Sequence, residues 1–353
     1  MRPKPYARNK PSVRRTATNS SAEVNFEAEV LPGLEPFALA ELKTVTGVQE
    51  VRQEAGAVAF RFVGDRARLG GLRTVVAVYQ TLTFAVPRPK ALLGHEHFSR
   101  LAGEIGRLRS AQTFSGFRLS AAGDDSAVFG RLAEGLEGAT GLARDGDGDL
   151  LVRVRRAAAG WEVLLRLTPR PLSARPWRVC NLGGGLNAAL AAVMAEVADI
   201  RAGERVFNPM CGSGTLLVEA GLRHPGVKLL GCDLEPAALG CSADNAAAAG
   251  VSLELFQADA AATDLEAESV NAILCNPPWG DAVGTHRQNA ALYPALLAEC
   301  ARVAAPGARL VLLTHEIRLL ERTLQDQSGW RAERAFRVFH GGHHPRVWLL
   351  SRG

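Results

Sequence analysis

The sequence predicts an α/β protein, in which a doubly wound, Rossmann-like sheet in the C-terminal half follows smaller α+β modules of the ferredoxin-like kind. Three observations carry that expectation. From about residue 178 short apolar runs alternate with helical stretches, the βα rhythm of a mainly parallel sheet. Before residue 168 the elements are shorter and mixed. Between the two regions Pro169-Arg170-Pro171-Leu172-Ser173-Ala174-Arg175-Pro176 places three prolines where no helix can run through. The expected organisation is a basic arm (1–22), a ferredoxin-like module (23–90), a second α+β module (91–168), a linker (169–177) and the doubly wound domain (178–353).

In the first module Val24–Leu31 reads as a strand, Glu35–Thr46 as an amphipathic helix and Ala57–Val63 as a strand. In the second, His95–Leu108 and Ser126–Glu137 read as helices, with strands at Phe114–Ala121, Leu150–Val154 and Trp161–Leu167. After the linker come an Ala-rich helix over Leu186–Asp199, a strand at Glu204–Asn208, a Gly-rich turn and a helix over Thr215–Leu222. Strand Lys228–Cys232 precedes helix Pro236–Ala249. Leu253–Gln257, Val270–Cys275 and Leu310–Thr314 are further strands, Leu292–Val303 is a helix, and Phe336–His340 pairs with Val347–Ser351 at the C-terminal edge. In such a sheet the ligand crevice lies at the carboxyl ends of the strands.

Composition excludes several classes. With 47% hydrophobic and 22% charged residues the chain has the profile of a globular protein. It has no apolar run of membrane-spanning length, and no apolar stretch follows its basic N-terminus, so neither membrane insertion nor secretion is expected. The six cysteines form no CxxC pair, which argues against a disulfide framework or a thiolate zinc site and for a reducing cytoplasm. The net charge of +5 is matched by six basic and no acidic side chains in residues 1–20, so the rest is nearly neutral. Residues 100–178 nonetheless carry 13 arginines against 9 acids, which suits one polyanion-facing surface.

The run Val206-Phe207-Asn208-Pro209-Met210-Cys211-Gly212-Ser213-Gly214-Thr215 joins a strand to a helix. Gly212 and Gly214 let the backbone approach a ligand, and the helix start offers free N–H groups. A dinucleotide fingerprint would need a third glycine where Leu217 stands, and no GK[ST] follows, so nicotinamide and Walker-type phosphate binding are disfavoured. Asp233 ends the next strand, 21 residues after Gly212, where a carboxylate can accept two ribose hydroxyls. Asp259, with Ala260 beside it, follows the third strand, in position to reach an adenine amino group.

The fourth strand runs into Asn276-Pro277-Pro278-Trp279-Gly280. Two prolines make a stiff, extended corner that can aim the Asn276 side-chain oxygen and the Pro277 carbonyl at one point. Two fixed acceptors suit the two hydrogens of an exocyclic amine and expose its lone pair for in-line attack on a sulfonium methyl. Trp279 offers a stacking face for a base taken out of its helix. No side-chain nucleophile is required.

These motifs resemble those of the class I S-adenosylmethionine-dependent methyltransferases that act on amines. Asn208–Thr215 and Asn276–Gly280, preceded by Leu172-Ser173-Ala174-Arg175-Pro176-Trp177-Arg178, are similar to the THUMP-domain RNA guanine-N2-methyltransferases, the tRNA enzymes in particular. Phe117-Arg118-Leu119 and Trp161–Leu167 resemble the end of a THUMP module, which makes 91–168 the RNA-binding unit. The resemblance implies methyl transfer from S-adenosylmethionine to N2 of a guanine in tRNA, in the acceptor stem, with S-adenosylhomocysteine as product. It implies a cofactor site at Pro209, Cys211, Gly212, Gly214, Thr215, Asp233, Leu234, Asp259, Ala260 and Asn276. Asn276, Pro277, Pro278 and Trp279 would serve catalysis, and Arg118, Arg175 and Arg178 would hold RNA phosphates. No metal and no membrane partner is implied, and a monomer is expected. Asn208 stands where the family has Asp, and Trp279 where Tyr or Phe is commoner. Guanine in rRNA and the N6 amine of adenine are alternative acceptors, and an RNA-binding protein with a vestigial methyltransferase domain is the alternative from another class.

Other candidates are set aside at this level. His95/His97 and His340/His343/His344 have no Cys or carboxylate at metal-ligand spacing. Gly341-Gly342 reads as a hairpin turn near the base pocket, Asp281 and His286 as loop polarity in preference to a pocket boundary, and Glu219 as solvated or capping a neighbouring loop.

Overall fold

The computed structural model describes residues 24–279 and 285–353. The basic arm, Gly280 and Asp281 lie outside the described residues.

The N-terminal half contains β1 (Val24–Glu29), α1 (Glu35–Thr44), β2 (Val48–Glu54), β3 (Ala57–Phe62), β4 (Ala77–Phe84), α2 (His95–Ala111), β5 (Phe117–Ala121), α3 (Ala127–Thr140), β6 (Leu150–Ala157) and β7 (Gly160–Arg166). The first four strands lie in the spatial order β2-β3-β1-β4, all antiparallel, which is the split βαβ arrangement with a short 3-10 turn at Arg66–Gly71 in place of the second helix. Phe26 anchors its core against Phe60 and Phe62, with ring centroids 5.6 and 6.0 Å away. The two modules are not separate sheets: β4 pairs with β7 from Tyr79↔Arg166 to Phe84↔Trp161, giving one seven-stranded sheet. Pairing the two edges satisfies backbone groups that each module would otherwise expose.

The C-terminal half contains α4 (Ala188–Val197), β8 (Arg205–Asn208), α5 (Thr215–Arg223), β9 (Lys228–Asp233), α6 (Pro236–Ala249), β10 (Glu254–Gln257), β11 (Val270–Cys275), α7 (His286–Val303), β12 (Ala304–Thr314), α8 (Ile317–Asp326), β13 (Trp330–Arg337) and β14 (Arg346–Arg352). The sheet order is β10-β9-β8-β11-β12-β14-β13, parallel through β12, with β14 antiparallel to both neighbours. Strand order reverses between β8 and β11, so the loops leaving those two strands part to opposite faces and open a crevice. The Gly-rich turn and the Asn-Pro-Pro corner are those loops. Phe207, Ile273 and Leu310 are fully covered at the sheet centre, as strands with helices on both faces require.

Three elements were not expected. Strand β2 is a polar edge strand with no buried residue, only exposed and half-buried ones. Helix α8 is only 10 residues long. Strand β4 is nearly continuous in its burial, so its apolar run shows no alternation. Helix α7 also starts at His286 rather than Leu292, because the Thr285 hydroxyl caps it by accepting the Gln288 N–H and Pro294 is accommodated inside it.

The linker joins the halves through buried charge. Arg175, only 5% exposed, sits at φ +43 and donates from Nε to Glu219 Oε1 at 2.8 Å, while Arg73 Nε reaches Glu219 Oε2 at 2.8 Å. The other Arg175 nitrogens donate to the carbonyls of Leu172 and Arg73. This corrects two expectations. Glu219 is not solvated but fully buried, and Arg175 faces inward, where it cannot reach an RNA phosphate. A guanidinium taken out of water needs a carboxylate, and its partner lies 44 residues away, beyond the reach of local patterning.

One disulfide is present, Cys180–Cys241, tying the segment after the linker to α6. The cysteine spacing gave no sign of it, because the two residues meet only through tertiary packing. Asn245 braces the same place, accepting the N–H groups of Val179 and Cys180 and donating to the carbonyls of Cys180 and Ser213. Among the described residues no helix is long and apolar enough to cross a membrane.

Removing Glu219 leaves Arg175 buried without its counter-charge. Glu219→Ala should lower unfolding free energy by about 3–5 kcal/mol, read as a drop in the urea midpoint. A shift under ~1 kcal/mol would mean that the pair is not a structural lock.

Candidate active site

The crevice is a cavity of 690 Å³. Its floor is the Gly-rich turn after β8, with Asn208, Met210, Cys211, Gly212, Ser213 and Thr215 exposed to it. One side is Asp233 with the start of α6, another is the Asn276–Trp279 corner, and the rest comes from Leu182–Leu186 and a hairpin carrying His340, Gly341 and His343.

The two glycines of the turn do different work. Gly212 has φ +52 and open space where a Cβ would stand, so its backbone faces the cavity directly. Gly214, at φ +74, packs against α6: a Cβ there would come within 2.8 Å of the Ser242 Oγ. Both glycines are expected to admit a ligand; Gly212 leaves open space there, whereas Gly214 admits a helix. Ser242 secures the turn further by donating to the Gly212 carbonyl at 2.9 Å.

Asp233 ends β9 with one carboxylate oxygen accepting the Gly212 N–H at 2.8 Å and the other accepting the Glu235 N–H at 3.2 Å. Each oxygen keeps a lone pair for a further donor, so Asp233 can shape the turn and still accept hydroxyls. Asn208 is buried and its side-chain oxygen accepts the Met210 N–H at 3.3 Å, a bond that a carboxylate would also make. Asp259 is exposed and turns back to accept the Ala261 N–H. Asp259, Ala260, Pro209 and Leu234 are not among the residues lining the cavity.

At the end of β11 the side-chain oxygen of Asn276 is buried and has no hydrogen-bond partner among the described residues. Its neighbour is anchored: the Pro278 carbonyl accepts from Asn289 Nδ2 at 3.0 Å and from the Tyr293 hydroxyl at 3.2 Å, and that hydroxyl is 2.6 Å from Thr314 Oγ1. Tyr293 is fully buried on α7. The corner is therefore held from behind while its acceptor stays covered and unpaired. A buried acceptor without a partner costs about 1–3 kcal/mol, a cost that a ligand's N–H would remove.

A profile of the UPF0020 family, the RMKL-like methyltransferase domain, matches residues 175–346. That stretch, just under half of the chain, is similar to this methyltransferase family. A tRNA (guanine(6)-N2)-methyltransferase of Thermus thermophilus is 36% identical over 205 residues, covering 57% of this chain and 60% of that protein. The match therefore spans less than two thirds of that relative. A protein of the same name from Archaeoglobus fulgidus is 26% identical over 94% of this chain and 93% of its own length. Among solved structures, TrmN from Thermus thermophilus superposes with a TM-score of 0.76 at 29% identity, over 94% of this chain and all of that one. The C-terminal domain is thus a class I methyltransferase fold.

Within the methyltransferase domain Arg178 is internal, donating to the Leu186 carbonyl at 2.7 Å and to Thr215 Oγ1 at 2.8 Å. It braces the Gly-rich turn from behind and is not placed for RNA, because both acceptors belong to the cavity wall. Arg118 is half-buried on β5. The sequence reading missed Leu182–Leu186, although Gly183-Gly184-Gly185 directly after the linker is a visible signal for a wall that approaches a ligand closely. It placed a hairpin turn at Gly341-Gly342 near the base pocket but gave the flanking His340 and His343 no part in the cavity wall. Among the described residues no three His, Cys, Asp or Glu side chains gather to hold a metal.

Cys211 faces the cavity but is a poor nucleophile, because burial pushes its thiol up to about 11. At pH 8 only about one molecule in a thousand carries the thiolate. Alkylation of Cys211 by iodoacetamide, followed by peptide mass spectrometry, should be far slower in the native protein at pH 8 than after denaturation, and should still be rising with pH above 9. Equal rates would contradict the burial.

Proposed function

We propose that this protein transfers a methyl group from S-adenosylmethionine to the exocyclic N2 amine of a guanine in RNA, with tRNA as the substrate class. The single observation that carries the reading is the unpaired, buried Asn276 oxygen on a braced corner at the mouth of the Gly-rich cavity. The names of the Thermus and Archaeoglobus relatives support guanine and tRNA. S-adenosylmethionine supplies an electrophilic methyl when bound, and the cavity fits it in kind: a turn with open backbone at Gly212, a carboxylate at Asp233 and apolar walls.

In this reading Gly212, Ser213, Thr215 and Asp233 hold the cofactor, with Cys211 packing beside it, and Asp259 and Ala260 would meet an adenine only at the cavity's edge. Asn276 accepts one N–H of the guanine amine, and the Pro277 carbonyl accepts the other. Both bonds strengthen as the nitrogen becomes tetrahedral, so they stabilise the transition state more than the ground state. Pro278 keeps both acceptors in place through Asn289 and Tyr293, and Trp279 stacks on the base. RNA phosphates would be held by the N-terminal half, where 91–168 serves as the THUMP-like unit and Arg118 remains the candidate contact.

The decisive experiment incubates the protein with methyl-labelled cofactor and separate tRNA and rRNA pools, then digests to nucleosides for mass analysis. N2-methylguanosine from tRNA is expected, and label on adenine N6, or none in RNA, would overturn the reading. Asn276→Ala should reduce kcat by about 10²-fold while the calorimetric Kd for S-adenosylmethionine changes less than about twofold. Parallel loss of both would remove Asn276 from the assigned role.

A further inference from the structure

A cluster of aromatic rings at the cavity mouth is not explained by the corner alone. Strands β13 and β14 are joined by a hairpin in which Val338 N–H donates to the Pro345 carbonyl and His340 and His343 exchange both backbone hydrogen bonds at 3.0 Å. Gly341 and Gly342 between them have φ +60 and +82, the pair of left-handed residues that a tight two-residue turn demands. The two histidines are therefore a directly opposed pair, and both line the cavity.

Their rings surround Trp279. The indole centroid is 6.1 Å from His340 and 6.2 Å from His343, at interplanar angles of 85° and 80°. His315, just beyond β12, adds a third imidazole 6.4 Å from the indole and 4.9 Å from His343. The indole Nε1 is buried with no partner among the described residues. A planar ring laid on the indole face runs parallel to it and so lies at 80–85° to the imidazoles of His340 and His343. The edge of a purine is where its ring nitrogens and exocyclic groups lie.

The chemistry of the walls selects an uncharged occupant. Burial lowers the pKa of His340, with the neighbouring His343 acting in the same direction, so His340 presents a neutral imidazole with one donor and one acceptor. A phosphate would call for cations there; a nucleobase needs ring faces and neutral hydrogen-bonding groups.

We propose that the His340–His343 hairpin is the outer wall of a nucleobase slot, with the target base lying on Trp279 and the two imidazoles bracketing its edge. This inference rests on the RNA methyltransferase reading and extends it to residues outside the Asn-Pro-Pro-Trp corner. The N-terminal half sets the wall's position. Phe339 N–H donates to the Pro32 carbonyl at 2.8 Å, and Phe336 packs on Phe37 with centroids 5.2 Å apart. At Gly33, φ +100, a Cβ would fall 2.2 Å from the Arg337 carbonyl oxygen, so only glycine permits that backbone approach. The half expected to grip RNA thus also carries one side of the slot.

The test compares wild type, His340→Ala, His343→Ala and His340→Gln, each as the full chain. Three quantities are read: cofactor Kd by calorimetry, tRNA Kd by filter binding at fixed salt, and the single-turnover rate of N2-methylguanosine formation. Each alanine variant should slow the single-turnover step roughly tenfold, the scale of one base-ring contact, with both Kd values within about twofold. His340→Gln, which keeps a donor and an acceptor, should recover part of the loss. Unchanged rates in an active protein would overturn the slot alone, as would a glutamine variant no faster than the alanine one. Loss of cofactor binding together with rate would make the hairpin a structural prop and overturn it too. A wild type that methylates no RNA would overturn the reading of function, and the slot with it.

Discussion

One acceptor oxygen, kept under cover without a hydrogen bond, is the constraint around which the site is arranged. Proteins pair nearly all their buried polar atoms, and an exception persists where surrounding structure over-determines it. Here the surroundings are specific. Two prolines remove the freedom that would let the Asn276 backbone relax, and the Pro278 carbonyl is gripped by Asn289 and Tyr293 from α7. Tyr293 is fixed in turn by Thr314 at the end of β12. The parallel sheet thus supplies rigidity from two neighbouring strands, and the reversal of strand order puts the glycine turn opposite.

The two halves of the chain are joined more intimately than a linker would suggest. Glu219 lies on the helix that begins at the glycine turn, and its carboxylate is shared by Arg73 from the N-terminal half and Arg175 from the linker. Glu41 on α1 accepts the backbone N–H groups of Arg73 and Thr74, so the contact reaches into the first module. On the far side, the 338–345 hairpin leans on Pro32 through Phe339, and Phe336 of β13 packs on Phe37. Both walls of the cavity therefore feel the position of the N-terminal sheet. Arg175 and Arg178, for which the resemblance implies RNA contact, instead bond within this internal scaffold.

The C-terminal domain was legible because its signals are local. Strand-to-helix alternation, glycines at 212 and 214, an acid ending β9 and the Pro277-Pro278 pair each follow from a few adjacent residues, and β11 and α6 match their expected bounds. What escaped depends on residues far apart in sequence. The edge pairing of β4 with β7 merged two modules, the Arg175–Glu219 pair spans 44 positions, and Cys180 meets Cys241 across 61. Strand β2 was hidden by its polarity, since an edge strand with no buried residue offers no alternation to read. Asp259 is a different case: its place after β10 is readable, but the bond of one carboxylate oxygen to the Ala261 N–H, and its position outside the cavity lining, are not.

The central claim is that the Asn276 oxygen is reserved for the amine of a guanine drawn out of RNA. A crystal structure with S-adenosylhomocysteine and a tRNA fragment carrying the target nucleotide tests it most directly. The account requires the guanine N2 about 3 Å from Asn276 Oδ1, with the base lying on the Trp279 indole. A base still stacked within the RNA, or an Asn276 oxygen bonded to another protein atom while substrate is present, would contradict it.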